Sequence, residues 1–194
     1  MRSKNGVKYL STRWSEYLRI GVQYYISGRF ANLCSLSPVA GNLFHHGIEM
    51  LIKGRLLYKE SAYTPEELYE KFGHNLPKLW EEYKRTTDKQ SLSKFDATVK
   101  DIHRWEEIRY PNYKNGDSVS LITSVMPKQK WEEDRKIQGN VYEIHLADVD
   151  ELFQEIIKSW PLNPSSIKFM LQGVPPGINM TISVYLDQNA HPLF

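Results

Sequence analysis

His45, His46, Glu49 and Lys53 place four chemically capable side chains within nine positions. Spacings of three and four put His46, Glu49 and Lys53 on one side of a helix. That pattern suits a polar site for phosphate or a metal ion. It suits equally a Glu49–Lys53 pair with a histidine closing a buried hydrogen-bond network. The network is the favoured reading, because two histidines and one carboxylate do not define a metal site. No metal or other cofactor is therefore assigned.

Arg29 follows Gly28, and is either an anion contact in a cleft or a salt-bridge partner of Glu49. His74 sits in Gly73-His74-Asn75, where polar residues satisfy the free donors of the next helix, so capping is favoured over catalysis. Arg109 and Tyr110 precede Pro111. Arg109 can answer the negative end of a helix or hold a phosphate. The chain has no glycine-rich phosphate loop, no nucleophile elbow and no evident pair of catalytic carboxylates.

These residues need helices to position them. Trp14, Tyr17, Leu18, Val22, Tyr25 and Ile26 repeat at helical spacing and predict a helix from Ser11 to about Cys34. Gly21 and Gly28 on it can admit a close neighbour. Ser37 and Pro38 predict the cap and first turn of a second helix running to Tyr58, with Phe44, Ile48, Leu51, Ile52 and Leu56 inward. Thr64-Pro65-Glu66-Glu67 reads as a capping box opening a short helix that stops near Gly73. Asn75 caps a fourth, with Leu76, Leu79, Trp80 and Tyr83 apolar. Ser91 caps a fifth, carrying Leu92, Phe95, Val99, Ile102, Trp105 and Ile108 and ending at Tyr110-Pro111. Helices with short connections make a bundle. The aromatic side chains at helical spacing (Trp14, Tyr17, Tyr24, Tyr25, Trp80, Tyr83, Trp105) read as core or dimer interface. Cys34 reads as a small buried residue.

After Pro111 the texture changes. Val119–Val125 and Asn140–Leu146 read as two short strands of a hairpin or as extended arms. Asp148 is the expected cap of a helix Val149–Trp160. A short helix is expected from Ser165 or Ser166 to Leu171, and a last strand over Met180–Leu186. The organisation is thus an all-α up-and-down bundle over residues 1–111, with a C-terminal extension over 112–194 packed on it and holding a small β element.

Composition narrows the function classes. The chain has 194 residues, 41% hydrophobic and 25% charged, enough for a packed core. One cysteine excludes an internal disulfide and a multi-cysteine zinc site. No apolar run reaches the roughly 20 residues of a membrane span. The polar, basic Met1–Leu10 is not followed by the apolar segment of a secretory signal, so a cytoplasmic protein is expected. Residues 1–60 hold nine Lys/Arg against three Glu, a balance of +6; residues 61–194 hold 16 against 20 acidic, a balance of −4. A basic first part can attract phosphate, although such asymmetry is also common on solvated helix surfaces.

Four segments carry a resemblance. They are Tyr25-Ile26-Ser27-Gly28-Arg29-Phe30-Ala31, the run His45 to Lys53, Gly73-His74-Asn75-Leu76-Pro77-Lys78-Leu79, and Ile108-Arg109-Tyr110-Pro111. In this order the chain resembles the HEPN domain family over about residues 11–111. Within the second segment His46, Glu49 and Lys53 reproduce that family's His-x-x-Glu-x-x-x-Lys pattern. The resemblance implies a helical bundle, a homodimer, and one of two roles. Many such proteins are RNases of toxin–antitoxin and defence systems; others are binding or adaptor modules. The RNase members carry an arginine followed five to seven positions later by a histidine. No arginine here has a histidine in that window, and the adjacent His103 and Arg104 point about 100° apart on a helix.

The expectation is therefore a non-catalytic, HEPN-like binding or adaptor module with nucleotide or RNA as ligand. Its binding candidates are Arg29, His46, Glu49, Lys53, His74, Arg109 and Tyr110, and no catalytic residue is assigned. The alternative is a metal-independent RNase with a displaced set of Arg109, His103 and His74. A partner subunit for a separate nucleotidyltransferase is a third role the resemblance allows.

Overall fold

Gly21 and Gly47 decide how the first two helices meet. A Cβ on Gly21 would lie 2.7 Å from Leu51, and one on Gly47 would lie 3.1 Å from the Tyr25 backbone nitrogen. Without those side chains, α1 (Lys4–Leu33) and α2 (Ser37–Tyr58) pack backbone against backbone. The computed structural model describes residues 4–58, 63–87, 90–109, 119–128 and 140–160, with side chains from Arg13 onward except at Gln90 and Val119. Between the two helices Ser35 takes a left-handed φ of 58°. Leu36, rather than Ser37, stands at the cap of α2: its carbonyl accepts the Ala40 N–H at 2.9 Å. Cys34 in this turn is exposed, not buried as expected, because it lies past the last packed turn of α1.

The expected capping box opens α3 (Pro65–Phe72). Glu67 N–H donates to Thr64 Oγ1 at 3.2 Å, and Thr64 N–H donates to Glu67 Oε2 at 2.7 Å. Gly73, with φ of 50°, ends that helix. Asn75 then caps α4 (Leu76–Thr87), accepting the Lys78 N–H at 2.9 Å. The long helix expected from Ser91 is instead three pieces: a 3₁₀ turn Gln90–Phe95, α5 (Asp96–Arg104) and a 3₁₀ turn Trp105–Ile108. Side-chain anchors accompany the breaks. Asp96 accepts from Trp80 Nε1 at 2.7 Å and from Lys84 Nζ at 2.8 Å. Trp105 Nε1 donates to the Glu143 carbonyl at 3.3 Å.

In the extension, β1 (Val119–Ser124) pairs with β2 (Asn140–His145), Val119 opposite Asn140. The pairing is parallel, so the hairpin expectation is corrected. A parallel pair needs a crossover of about a dozen residues or more, and residues 125–139 supply that length of chain. The helix α6 (Leu146–Lys158) begins before the expected cap. Asp148 caps nothing there; its carboxylate accepts the Lys128 N–H at 2.9 Å. The expected helix to Leu171 and strand Met180–Leu186 lie outside the described residues.

The fold is thus an all-α bundle with a small two-stranded sheet in its C-terminal region. One apolar cluster runs from Leu18 on α1 through Phe44, Ile48 and Leu51 on α2 to Phe153 and Ile156 on α6. The extension therefore shares the bundle's core. Tyr25 stacks on Phe153 with ring centres 3.7 Å apart. Among the described residues no helix is long and apolar enough to cross a membrane.

Candidate functional site

The central helix is buried on several faces, and this creates the site. Along α2 the apolar Phe44, Ile48 and Leu51 are buried, but so are His45, Glu49 and Lys53. A charge taken out of water must be paired. Lys53 Nζ donates to Glu49 Oε1 at 2.5 Å and to the Gly73 carbonyl at 2.7 Å. The turn after α3 brings His74 over the same carboxylate, with its Nδ1 3.2 Å from both Glu49 oxygens. His46 Nδ1 lies 3.5 Å and His45 Nδ1 4.0 Å from Glu49 Oε2. The expected Glu49–Lys53 pair is present, and where one histidine was expected to close the network three gather around the carboxylate.

A second carboxylate joins from the 3₁₀ turn after α5. Glu106 Oε1 lies 3.0 Å from His45 Nδ1 and 3.7 Å from His46 Nε2. Its other oxygen faces Arg109 at 3.5 Å. His103 Nδ1 lies 3.4 Å from His45 Nε2, with the two rings stacked. Tyr24 lies against His46, ring centres 5.6 Å apart. The cluster therefore draws from α2, the α3–α4 turn, α5 and the turn that follows it.

Both carboxylates are ionised well below neutral pH. Burial pushes Glu49 up, but hydrogen bonds from His46, Lys53 and His74 and the Lys53 charge hold it at about 2. The His45 ring beside Glu106, against a smaller burial effect, holds that carboxyl at about 2 as well. Burial, with the neighbouring His45, lowers His103. An ionised carboxylate only accepts hydrogen bonds, so the His74 Nδ1 facing Glu49 carries its hydrogen. At the inner end, neither His45 Nδ1 nor Glu106 Oε1 has an aligned hydrogen-bond partner among the described residues. Proximity alone holds that pair.

Of the sequence candidates, His46, Glu49, Lys53, His74 and Arg109 come together. Arg29 does not join them. It is buried at the α1–α6 contact, where its Nη2 lies 3.3 Å from Asp150 Oδ2; the partner is Asp150, not Glu49. Tyr25 donates its hydroxyl to the same carboxylate. His74 does not cap α4, since Asn75 does so. Tyr110 lies outside the described residues. Sequence reasoning missed Glu106 as a member of the site, and His45 as its deepest member. For Glu106 the usable signal was its three-residue spacing to His103 and Arg109 on a helical turn.

His46 (side chain 18% exposed), Glu106 (19%), Arg109 (40%) and His74 (55%) form the solvent edge. Lys53, 5% exposed, is spent inside. No family model, curated protein or solved structure matches the chain.

Proposed function

We propose that the chain is a non-catalytic, HEPN-like binding or adaptor module, working as a homodimer, that takes a nucleotide or RNA phosphate at the edge of the histidine cluster. The observation that supports this reading is the meeting of His46, His74 and Arg109 at one solvent-facing rim over the buried Glu49–Lys53 pair. Inside the rim the charges of Glu49 and Glu106 are matched by those of Lys53 and Arg109. His74 and Arg109 are the exposed hands of the rim, and planar guanidinium suits phosphate.

The non-catalytic part rests on how the displaced set is employed. His74 is turned onto Glu49, His103 onto His45, and Arg109 onto Glu106. A general acid–base pair must converge on one reacting atom, and these three side chains each address a different neighbour.

The test combines two readouts on the purified full chain with chelator present. Fluorescence anisotropy with a short labelled single-stranded RNA reads binding, and gel electrophoresis of the same RNA reads cleavage. Binding weakened several-fold by Arg109→Ala and by His74→Ala, without cleavage, is the expected result. Cleavage that Arg109→Ala abolishes would overturn the non-catalytic reading. Binding untouched by both variants would remove the rim as the ligand site.

A further inference from the structure

We propose that His45, His46, Glu49 and Glu106 form a binding site for one divalent first-row transition-metal ion, zinc being the type case. This goes beyond phosphate binding at the rim and does not depend on it. Three of the four residues, His45, His46 and Glu49, each offer a donor atom within 4.8 Å of the others'. Glu106 adds a fourth from a turn 57 positions further along the chain than Glu49.

The spacing fits a coordination shell. Zinc bonds of about 2.0–2.2 Å set neighbouring donors about 3.0–3.5 Å apart at angles between right and tetrahedral. The observed pairs are His45–Glu106 at 3.0 Å, His46–Glu49 at 3.5 Å, His46–Glu106 at 3.7 Å and His45–Glu49 at 4.0 Å. Metal binding would draw the 4.0 Å His45–Glu49 pair together and turn the His46 ring to present one nitrogen. His46 faces the two carboxylates with different ring nitrogens, and only one of these can ligate.

The second, independent observation is at the bottom of the cluster. His45 is fully buried, yet its Nδ1 and the facing Glu106 Oε1 lack aligned hydrogen-bond partners. The two atoms face each other at 3.0 Å without an aligned hydrogen bond, and a shared cation would satisfy both.

The surrounding contacts leave one oxygen of each carboxylate turned toward the histidines. Lys53 holds Glu49 by Oε1, which leaves Oε2 toward the histidines, although His74 reaches both oxygens. Arg109 faces Glu106 by Oε2, which leaves Oε1 inward. With His45 bound through Nδ1, its Nε2–H would be left to donate to His103 Nδ1, 3.4 Å away. Such outer contacts fix ring orientation at metal sites. Imidazole and carboxylate without thiolate suit zinc, nickel, copper(II) or iron(II) rather than the softer copper(I). The partly exposed His46 and Glu106 give the ion its way in.

The test uses full-length protein stripped with chelator and dialysed. Zinc is titrated against a chromogenic competitor, and cobalt(II) is added in parallel for its visible absorption. One equivalent per chain is expected, with cobalt bands intensified by nitrogen and oxygen ligands. Affinity should fall about tenfold or more in His46→Ala and in Glu106→Gln. Both residues are partly exposed, and circular dichroism checks that the variants fold. Absence of stoichiometric binding at micromolar ion, or binding unchanged in both variants, would overturn the proposal. No RNA is present, so this result and the RNA result can fail separately.

Discussion

Glu49→Gln removes a charge and almost no volume, so it isolates what the buried pair contributes. Glu49 is fully buried and Lys53 is 5% exposed, with Nζ and Oε1 2.5 Å apart. In the variant the ammonium stays inside with only the Gly73 carbonyl, 2.7 Å away, and an amide oxygen. Removing one partner of a buried pair costs about 3–5 kcal/mol, because the remaining charge is uncompensated. Two neutral acceptors survive here, so the low end, about 3 kcal/mol, is expected. For a chain of this length that is a fall in Tm of roughly 6–12 °C. The assay is urea and thermal unfolding followed by circular dichroism at pH 7, with chelator present so that no bound ion contributes. The double variant Glu49→Gln/Lys53→Met should recover most of the loss, since it leaves no buried charge. The coupling of the two substitutions is then read from the cycle. A loss below about 1 kcal/mol for Glu49→Gln, or a double variant no more stable than the single, would refute the reasoning: Lys53 would then reach water.

Gly41→Ala should destabilise by about 1–3 kcal/mol or more, since its Cβ would lie 2.1 Å from the fully buried Trp105 indole; urea unfolding followed by tryptophan fluorescence measures it. Arg85, with Tyr63, holds the Glu82 carboxyl down at about 2 against the opposing effect of burial. Its folded value lies below the unfolded one, so its contribution is complete above about pH 5 and lost as pH falls toward about 2. Glu82→Gln should flatten stability against pH over that window, by a modest amount because Arg85 is 70% exposed; identical pH profiles would count against it. Cys34 is exposed, so a thiol reagent should label the folded chain stoichiometrically and rapidly. Labelling that waits for denaturant would return it to the core.

Several elements were legible because their causes are local. The inward faces of α1 and α2, the capping box at Thr64 and the stop at Gly73 depend on residues three or four positions apart. The His46–Glu49–Lys53 side of α2 was legible for the same reason. Where causes were remote, the reading failed. Asp96, bonded to Trp80 and Lys84, lies at the break in what looked like one helix. The strands run parallel, and the alternation within each strand carries no information on their relative direction. Arg29 took Asp150, 121 positions away, over the nearer Glu49.

By itself the sequence determined which residues could do chemistry and which helices would carry them, because helical periodicity and capping act within a turn or two. Tertiary structure alone decided that α2 would be buried on several faces, and hence that its charges had to be paired inside. It also brought Glu106 to His45 across 61 positions. That contact depends on how the turn after α5 docks on α2, where Trp105 fills the space left by Gly41. No local spacing encodes it, because close packing between distant segments is a property of the assembled core.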